Sequence, residues 1–281
     1  MNRLVFLLVA ILTIHSCNSD KRTKVSVELS NRLDYSTTSD SAIYYYELGW
    51  QQIMDEGFYG PSELSYRKSL EYDHDFLLSA GTLARLTLDL DERKSLLQKI
   101  LNEKNKLDGD EALVLAVYQS FIALTNARQE DDPKVDSIRH SALQLAYQNF
   151  GKVVPKYPSE TYLFAEYIEI IHAIDGHEHA IDSLNAYIQS GHQSNIFLDG
   201  YRASMLAESG KYDEAIKLAK DLEKKLPLNS YPKPNAVYAD IYFQKQEYIK
   251  ALPYAKKGNQ LDPRNLDLSR LLSKIEKEMN E

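Results

Sequence analysis

The last third of the chain contains one unit twice. Gly210-Lys211-Tyr212-Asp213-Glu214-Ala215-Ile216, with Ala219, Leu222 and Pro227 after it, is answered by Glu247-Tyr248-Ile249-Lys250-Ala251-Leu252, with Ala255, Gly258 and Pro263. Tyr212 and Tyr248, Ala215 and Ala251, and Pro227 and Pro263 are each 36 residues apart. A period of this length marks a supersecondary unit that cannot bury its apolar face alone and must stack on its neighbours. Within the unit, Ala215, Leu218, Ala219 and Leu222 recur at i, i+3, i+4 and i+7, which is one stripe of an amphipathic helix. Ala203, Leu206 and Ala207 form a matching stripe on the helix before it. Small residues at Ala203, Ala215, Ala239 and Ala251 admit close helix approach. Tyr212, Tyr242 and Tyr248 fill the wedge between pairs and keep a hydroxyl near water. Pro158, Pro227 and Pro263 end one helix and free the next to begin.

Weaker copies lie upstream. Gly176, Ala180, Leu184 and Tyr187 repeat the order. Near the start, Leu48-Gly49, Gly57, Tyr59, Ser62, Tyr66 and Ser69-Leu70 repeat it with one extra residue in the first half. At these positions the chain resembles the tetratricopeptide repeat (TPR), a unit of about 34 residues with Leu-Gly in its first helix, Gly-x-Tyr-x-x-Ala across the turn and Pro after the second helix. The match is fullest at 194–227 and 232–263, partial at 42–75 and 161–193, and reduced to amphipathic helix pairs at 76–107 and 109–158. The resemblance implies an all-α, right-handed α-solenoid of about six helix pairs.

Patterning predicts helices near 40–56, 60–73, 75–88, 91–104, 109–127, 134–154, 159–174, 177–190, 195–208, 211–225, 234–245 and 247–260. A last helix, 264–279, ends Lys274-Ile275-Glu276-Lys277-Glu278, and its charge suits a capping helix with a polar outer face. Gln129 to Pro133 lengthens one turn. Pro253 falls inside a predicted helix, which it should bend or delay.

The N-terminus carries an address. Met1-Asn2-Arg3 precedes an apolar run from Leu4 to Ile14, too short to span a bilayer, and then His15-Ser16-Cys17. This reads as a signal peptide over 1–16. Ile14-His15-Ser16-Cys17 resembles the bacterial lipobox, with His15 a departure from the usual residue. The resemblance implies cleavage before Cys17 and an acyl anchor on it; several acyl chains make attachment effectively permanent. Asn18, rather than the Asp that retains enterobacterial lipoproteins in the inner membrane, leans toward an outer-membrane address facing the periplasm or the cell surface. The polar residues from Asn18 to Ser39 read as a flexible tether, so the expected division is leader 1–16, lipidated tether 17–39 and repeat domain 40–281.

Composition excludes more chemistry than it names. A formal charge of −8 argues against nucleic acid, and one cysteine allows neither an internal disulfide nor a CxxC site. His172, Asp175, His177, Glu178 and His179 are the one histidine-rich cluster, but Ile181 takes the place of the second histidine of HExxH. The cluster reads as an inter-helix turn, with no metal expected. Asp89, Asp91 and Glu92, and Asp108, Asp110 and Glu111, sit at predicted helix starts and read as caps. No P-loop, GxSxG, GxGxxG or EF-hand pattern occurs, so neither enzymatic activity nor a cofactor is expected.

In the TPR family the first helix of each unit lines a groove. The matching positions are Ile43, Tyr46 and Trp50, then Tyr162, Glu169 and His172, then Phe197 and Ser204, and finally Lys233, Asp240 and Phe243. Rings with a few carboxylates suit a peptide or partner helix, although the same rings equally suit packing between helices. The expected object is an envelope lipoprotein acting as a tethered protein-binding scaffold. The alternatives are an adaptor for cell-wall hydrolases or outer-membrane assembly, and a glycan-binding lipoprotein that uses Trp50 and exposed tyrosines.

Overall fold

The computed structural model describes residues 32–280 and is all-α, with no strand among the described residues. The leader, Cys17 and most of the expected tether lie outside these residues. Helix α1 (Asp40–Trp50) continues as a π-helical turn, Gln51–Glu56. Then follow α2 (Tyr59–Tyr72), α3 (Leu77–Leu86), α4 (Leu90–Glu103), α5 (Gly109–Gln129), α6 (Val135–Val153) and α7 (Thr161–Asp175). The chain continues with α8 (His177–Gln189), α9 (Ile196–Glu208), α10 (Tyr212–Lys225), α11 (Pro232–Gln244), α12 (Tyr248–Leu261) and α13 (Leu266–Asn280). Each predicted helix is present, with ends shifted by at most two residues.

Consecutive helices pack in pairs, and the first helices of neighbouring pairs also touch: α3 meets α5, α9 meets α11, and α11 meets α13. The stripes anticipated from the repeat are the contact surfaces, since Ala203, Ala207, Ala215, Ala219 and Leu222 are all buried. Burying a leucine such as Leu222 stabilises by about 1.5–3 kcal/mol. Tyr212 donates its hydroxyl to the Gln244 carbonyl at 3.2 Å, and Tyr242 stacks on Tyr238 and Tyr254, as wedge residues should. Pro253 neither delays nor ends α12, which runs from Tyr248 through to Leu261. Lying in the second turn, it forfeits one helical N–H bond and leaves the rest of the ladder intact.

The extra residue in the first repeat becomes the π-helical turn. A wider turn absorbs one inserted residue without changing the register of the flanking helices. It closes at Gly57, whose φ of 83° is the left-handed conformation that glycine adopts without steric cost. Nearby, Gly49 lets the Tyr66 ring lie against α1; a Cβ there would sit 2.6 Å from it.

The tether was expected to run to Ser39, but the chain is packed from Leu33 onward. Leu33 and Thr37 are buried, and Tyr35 packs against Tyr46 and Phe76. Glu160, at the entry to α7, accepts the Leu33 N–H at 3.1 Å and the Tyr35 hydroxyl at 3.4 Å, while Ser36 donates to Glu111 at 3.1 Å. Apolar residues at alternate positions of this short segment find the open side of α1 and α3, which a solvated linker would leave wet.

The two ends of the helical stack also meet. Asp262, between α12 and α13, accepts the backbone N–H groups of Tyr59 and Gly60 at the start of α2. Arg264 pairs with Glu63, and Asn265 donates to the Gly57 carbonyl at 2.8 Å. Helix α13 therefore packs on α12 and α11 and also brings its leading loop back to the first repeat. Among the described residues, no helix is long and apolar enough to cross a membrane.

Candidate functional site

The face formed by the first helices carries two clefts. One, of about 280 Å³, lies where the N-terminal segment crosses α1 and the start of α7, and is lined by Tyr35, Tyr46, Trp50, Tyr118, Glu160 and Tyr162 among others. The second, of about 320 Å³, lies among α9, α11 and α13, and is lined by Tyr201, Ser204, Lys233, Asp240, Asp267 and Arg270 among others. Residues from distant repeats face each other here because the stack returns on itself.

The sequence-predicted residues divide between these places. Tyr46, Trp50 and Tyr162 meet at the first cleft, but Tyr46 and Trp50 are 3% and 7% exposed and belong to the core. Trp50 stacks on Tyr162 with ring centroids 6.3 Å apart, and Tyr46, Tyr66 and Tyr118 surround its other sides. Period and register put these rings on the inner face. The docked segment at Tyr35 covers Tyr46, a contact that the helical pattern does not encode. Phe197 is buried and lies beneath Lys233, whose Nζ sits 3.8 Å from the ring centroid. Lys233, Asp240 and Ser204 line the second cleft, half-buried. Phe243 lies apart, packed against Tyr248 in the C-terminal core, and Ile43 lines neither cleft.

Between the clefts runs a row of ionisable groups. Arg85 on α3 pairs with Glu166 on α7 at 2.5 Å and lies 4.8 Å from the Tyr118 ring centroid. Burial opposes the Arg85 charge most strongly, but the charge and hydrogen bond of Glu166, with Tyr118 and Tyr66, together outweigh it and hold the guanidinium protonated. Glu166 is 5% exposed, and its second carboxylate oxygen has no hydrogen-bond partner. One turn further along α7, burial and then the Glu166 charge push the Glu169 carboxyl up to about 8. Burial pulls the Lys233 ammonium down to about 8, against the attraction of Glu169, Asp55 and Asp267. Burial thus disfavours the charged form of both Glu169 and Lys233, each of which is held against the charges of its neighbours. Burial raises the Asp240 carboxyl as well, against hydrogen bonds from Ser204 and Gln244.

Asp55, in the π-helical turn, was not singled out in the sequence. Its Oδ2 accepts the Tyr162 hydroxyl at 2.8 Å and its Oδ1 accepts the Phe197 N–H at 2.9 Å. The inserted residue was the available signal, since π turns aim side chains away from the helical register. Arg85 and Glu166 were missed for a different reason. Each reads as an ordinary helix-surface charge until the fold brings α3 against α7.

The acidic helix starts are partly caps. Asp89 accepts the N–H groups of Asp91 and Glu92 at 2.9 and 3.1 Å, as expected. Asp108 occupies the N-cap of α5 without a side-chain bond, Asp110 is taken by Lys156 and Tyr157, and Glu111 accepts from Ser36. The histidine cluster straddles Gly176: His172 and Asp175 lie in the last turn of α7, and His177, Glu178 and His179 in the first turn of α8. Of its members, His172 and His177 converge on Glu208, at the end of α9, whereas Asp175, Glu178 and His179 are exposed.

No protein-family model matches the chain, and a search of curated proteins gives no match.

Proposed function

We propose that this chain is a lipid-anchored envelope protein of the TPR type, whose stacked helix pairs form a binding scaffold for another protein. The observation that carries the reading is the pair of clefts on the first helices, where half-buried Tyr162, Lys233 and Asp240 stand beside buried rings. Rigid aromatic walls with a few ionisable groups favour a peptide or a partner helix, because ordering such a surface costs little entropy on binding. The repeat motif and its Gly-x-Tyr-x-x-Ala turn support a right-handed solenoid with α13 as its cap. The proposed partner is a protein or peptide of the cell envelope, with no role for nucleic acid and no catalytic step. The anchor on Cys17 would confine the scaffold to one membrane face, that of the outer membrane, and raise its effective concentration there. A role as adaptor for cell-wall hydrolases or outer-membrane assembly is a narrower form of this reading. The glycan reading is disfavoured, because the Trp50 ring it requires is enclosed by tyrosines.

A photo-crosslinking residue at Ser204, in the second cleft, tests the reading against the same residue at exposed Lys220 on α10. In cells, the first should yield a discrete adduct with an envelope protein and the second should not. Equal adduct patterns at both positions would refute the scaffold. The anchor is tested separately by Cys17→Ser, which should move the protein from the membrane to the soluble fraction.

A further inference from the structure

We propose that His172, His177 and Glu208 bind a divalent first-row transition metal ion, with zinc the natural probe. The site goes beyond the scaffold reading and does not depend on it. The three side chains come from separate helices: His172 from the last turn of α7, His177 from the first residue of α8 and Glu208 from the last residue of α9. His172 Nε2 lies 2.9 Å from Glu208 Oε2, and His177 Nδ1 lies 3.5 Å from Glu208 Oε1. One ligand atom from each residue falls within 4.8 Å of the other two. Tetrahedral zinc with bonds of about 2.0–2.1 Å needs ligand atoms about 3.3 Å apart, so modest rotations about the side-chain bonds complete the site.

The donor set is chemically selective. Two imidazoles and one carboxylate suit zinc and its first-row neighbours rather than calcium or magnesium, which prefer all-oxygen shells. The surroundings also fit. His172 Nδ1 lies 2.6 Å from the Tyr201 hydroxyl, which fixes the ring and leaves Nε2 directed at Glu208. With metal on Nε2, the imidazole keeps its single proton on Nδ1 and donates it to the Tyr201 oxygen, the outer-shell arrangement common to metal-bound histidines. Without metal the same contact serves with the proton on Nε2, given to Glu208, and the Tyr201 hydroxyl donating to Nδ1. The His172 and His177 side chains are 23% and 28% exposed and that of Glu208 is 40% exposed, so a fourth ligand can enter from solvent.

A bound ion would join the pair α7 and α8 to α9, between the core that holds Phe164 and Ile168 and the one in which Ala203 and Leu206 pack on α10. Tyr201 also lines the second cleft, so metal binding would be felt there. No metal was expected from the sequence because Ile181 stands where HExxH has its second histidine. Glu208 supplies a third ligand from 31 residues beyond His177.

The test is calorimetric titration of zinc into the full chain carrying Cys17→Ser, which removes a competing thiolate. One ion per chain, with Kd in the micromolar range or below, is expected, together with a rise in Tm of several degrees at saturation. His177→Ala and Glu208→Gln should each weaken binding at least tenfold, while exposed His179→Ala should leave it unchanged. Cobalt(II) added to the unmutated site should give visible d–d bands that zinc displaces, a readout independent of whether variants fold. Millimolar binding, binding indifferent to His177 and Glu208, or a cobalt spectrum no different from the aqueous ion would each overturn the proposal.

Discussion

Asp55 helps cap a helix far along the chain: its Oδ1 accepts the backbone N–H of Phe197, 142 residues later and in the first turn of α9, at 2.9 Å, beside the local cap Asn195. The other carboxylate oxygen holds Tyr162 on α7, so one side chain from the π-helical turn fixes the starts of two distant helices. Asp55 is 9% exposed, and burial raises its carboxyl despite both hydrogen bonds, a sign of how dry the position is.

Replacing Asp55 with Ala strands a buried N–H and a tyrosine hydroxyl. Each unsatisfied group costs about 1–3 kcal/mol, so a loss of about 2–4 kcal/mol is expected by urea denaturation. Asp55→Asn keeps an acceptor for one of the two donors and should cost roughly half as much. Equal stability of the Ala variant and the unaltered protein would show that water replaces the cap.

The buried pair Arg85 and Glu166 makes a different prediction. Removing one partner leaves an uncompensated charge among Trp50, Tyr118 and Phe121, so Glu166→Ala should destabilise by about 3–5 kcal/mol. Changing both, to Met at 85 and Leu at 166, should recover most of that loss, because apolar replacements owe no desolvation. A double-mutant cycle with no coupling between the two positions would contradict the assignment.

The fold was legible in the sequence wherever a signal is local. The helix start at Asp89 and the stripe Ala215 to Leu222 come from residues within a turn or two of each other, and the repeat period shows as the same local pattern copied 36 residues on. The contacts that shape the candidate site are not local. Asp55 to Phe197, Glu160 to Leu33 and Asp262 to Tyr59 join residues more than a hundred positions apart. Each uses an ordinary acidic residue that no periodicity distinguishes. The same limit explains Tyr46 and Trp50: register places them on the inner face, but which surface is later covered depends on where the segment around Tyr35 docks. His172 and His177 were visible as a pair, whereas Glu208 looked like any polar residue at a helix end.

Glu169 makes stability depend on pH in a direction that can be worked out. Burial pushes its carboxyl up to about 8 from the ordinary 4.5, so the folded protein holds this proton more tightly than the unfolded chain. Its contribution is therefore most favourable below about pH 4.5 and is lost as pH rises toward 8. Lys233 shifts the other way, and its cost is constant below about pH 8, so Glu169 adds to the downward slope that the raised carboxyls of Asp55 and Asp240 also give. Glu169→Gln should reduce the slope. The variant should match the unaltered protein at pH 5 and exceed it at pH 8.5 by on the order of 1 kcal/mol, about 3 °C in Tm, given solvent screening of a half-buried group. Parallel Tm curves across this range would contradict the assignment.

The closure of the stack rests on Asp262, which is 4% exposed and stands where a local cap would otherwise serve α2. The residue at the α2 N-cap is Phe58, which has no side-chain acceptor, so the N–H groups of Tyr59 and Gly60 turn to a carboxylate about 200 residues away. Asp262 also accepts the Arg264 N–H at 3.0 Å, holding the loop that delivers Arg264 to Glu63 and Asn265 to Gly57. An ordinary N-cap contributes about 0.5–2 kcal/mol, and here its loss also releases the loop. Asp262→Ala should therefore lower stability by about 1–3 kcal/mol. It should speed amide exchange at Tyr59 and Gly60 far more than at Ala219 or Leu222, which lie in the separate core of α10. Uniform acceleration across the chain would instead mean that the two ends are held mainly by apolar packing, with the carboxylate a passenger.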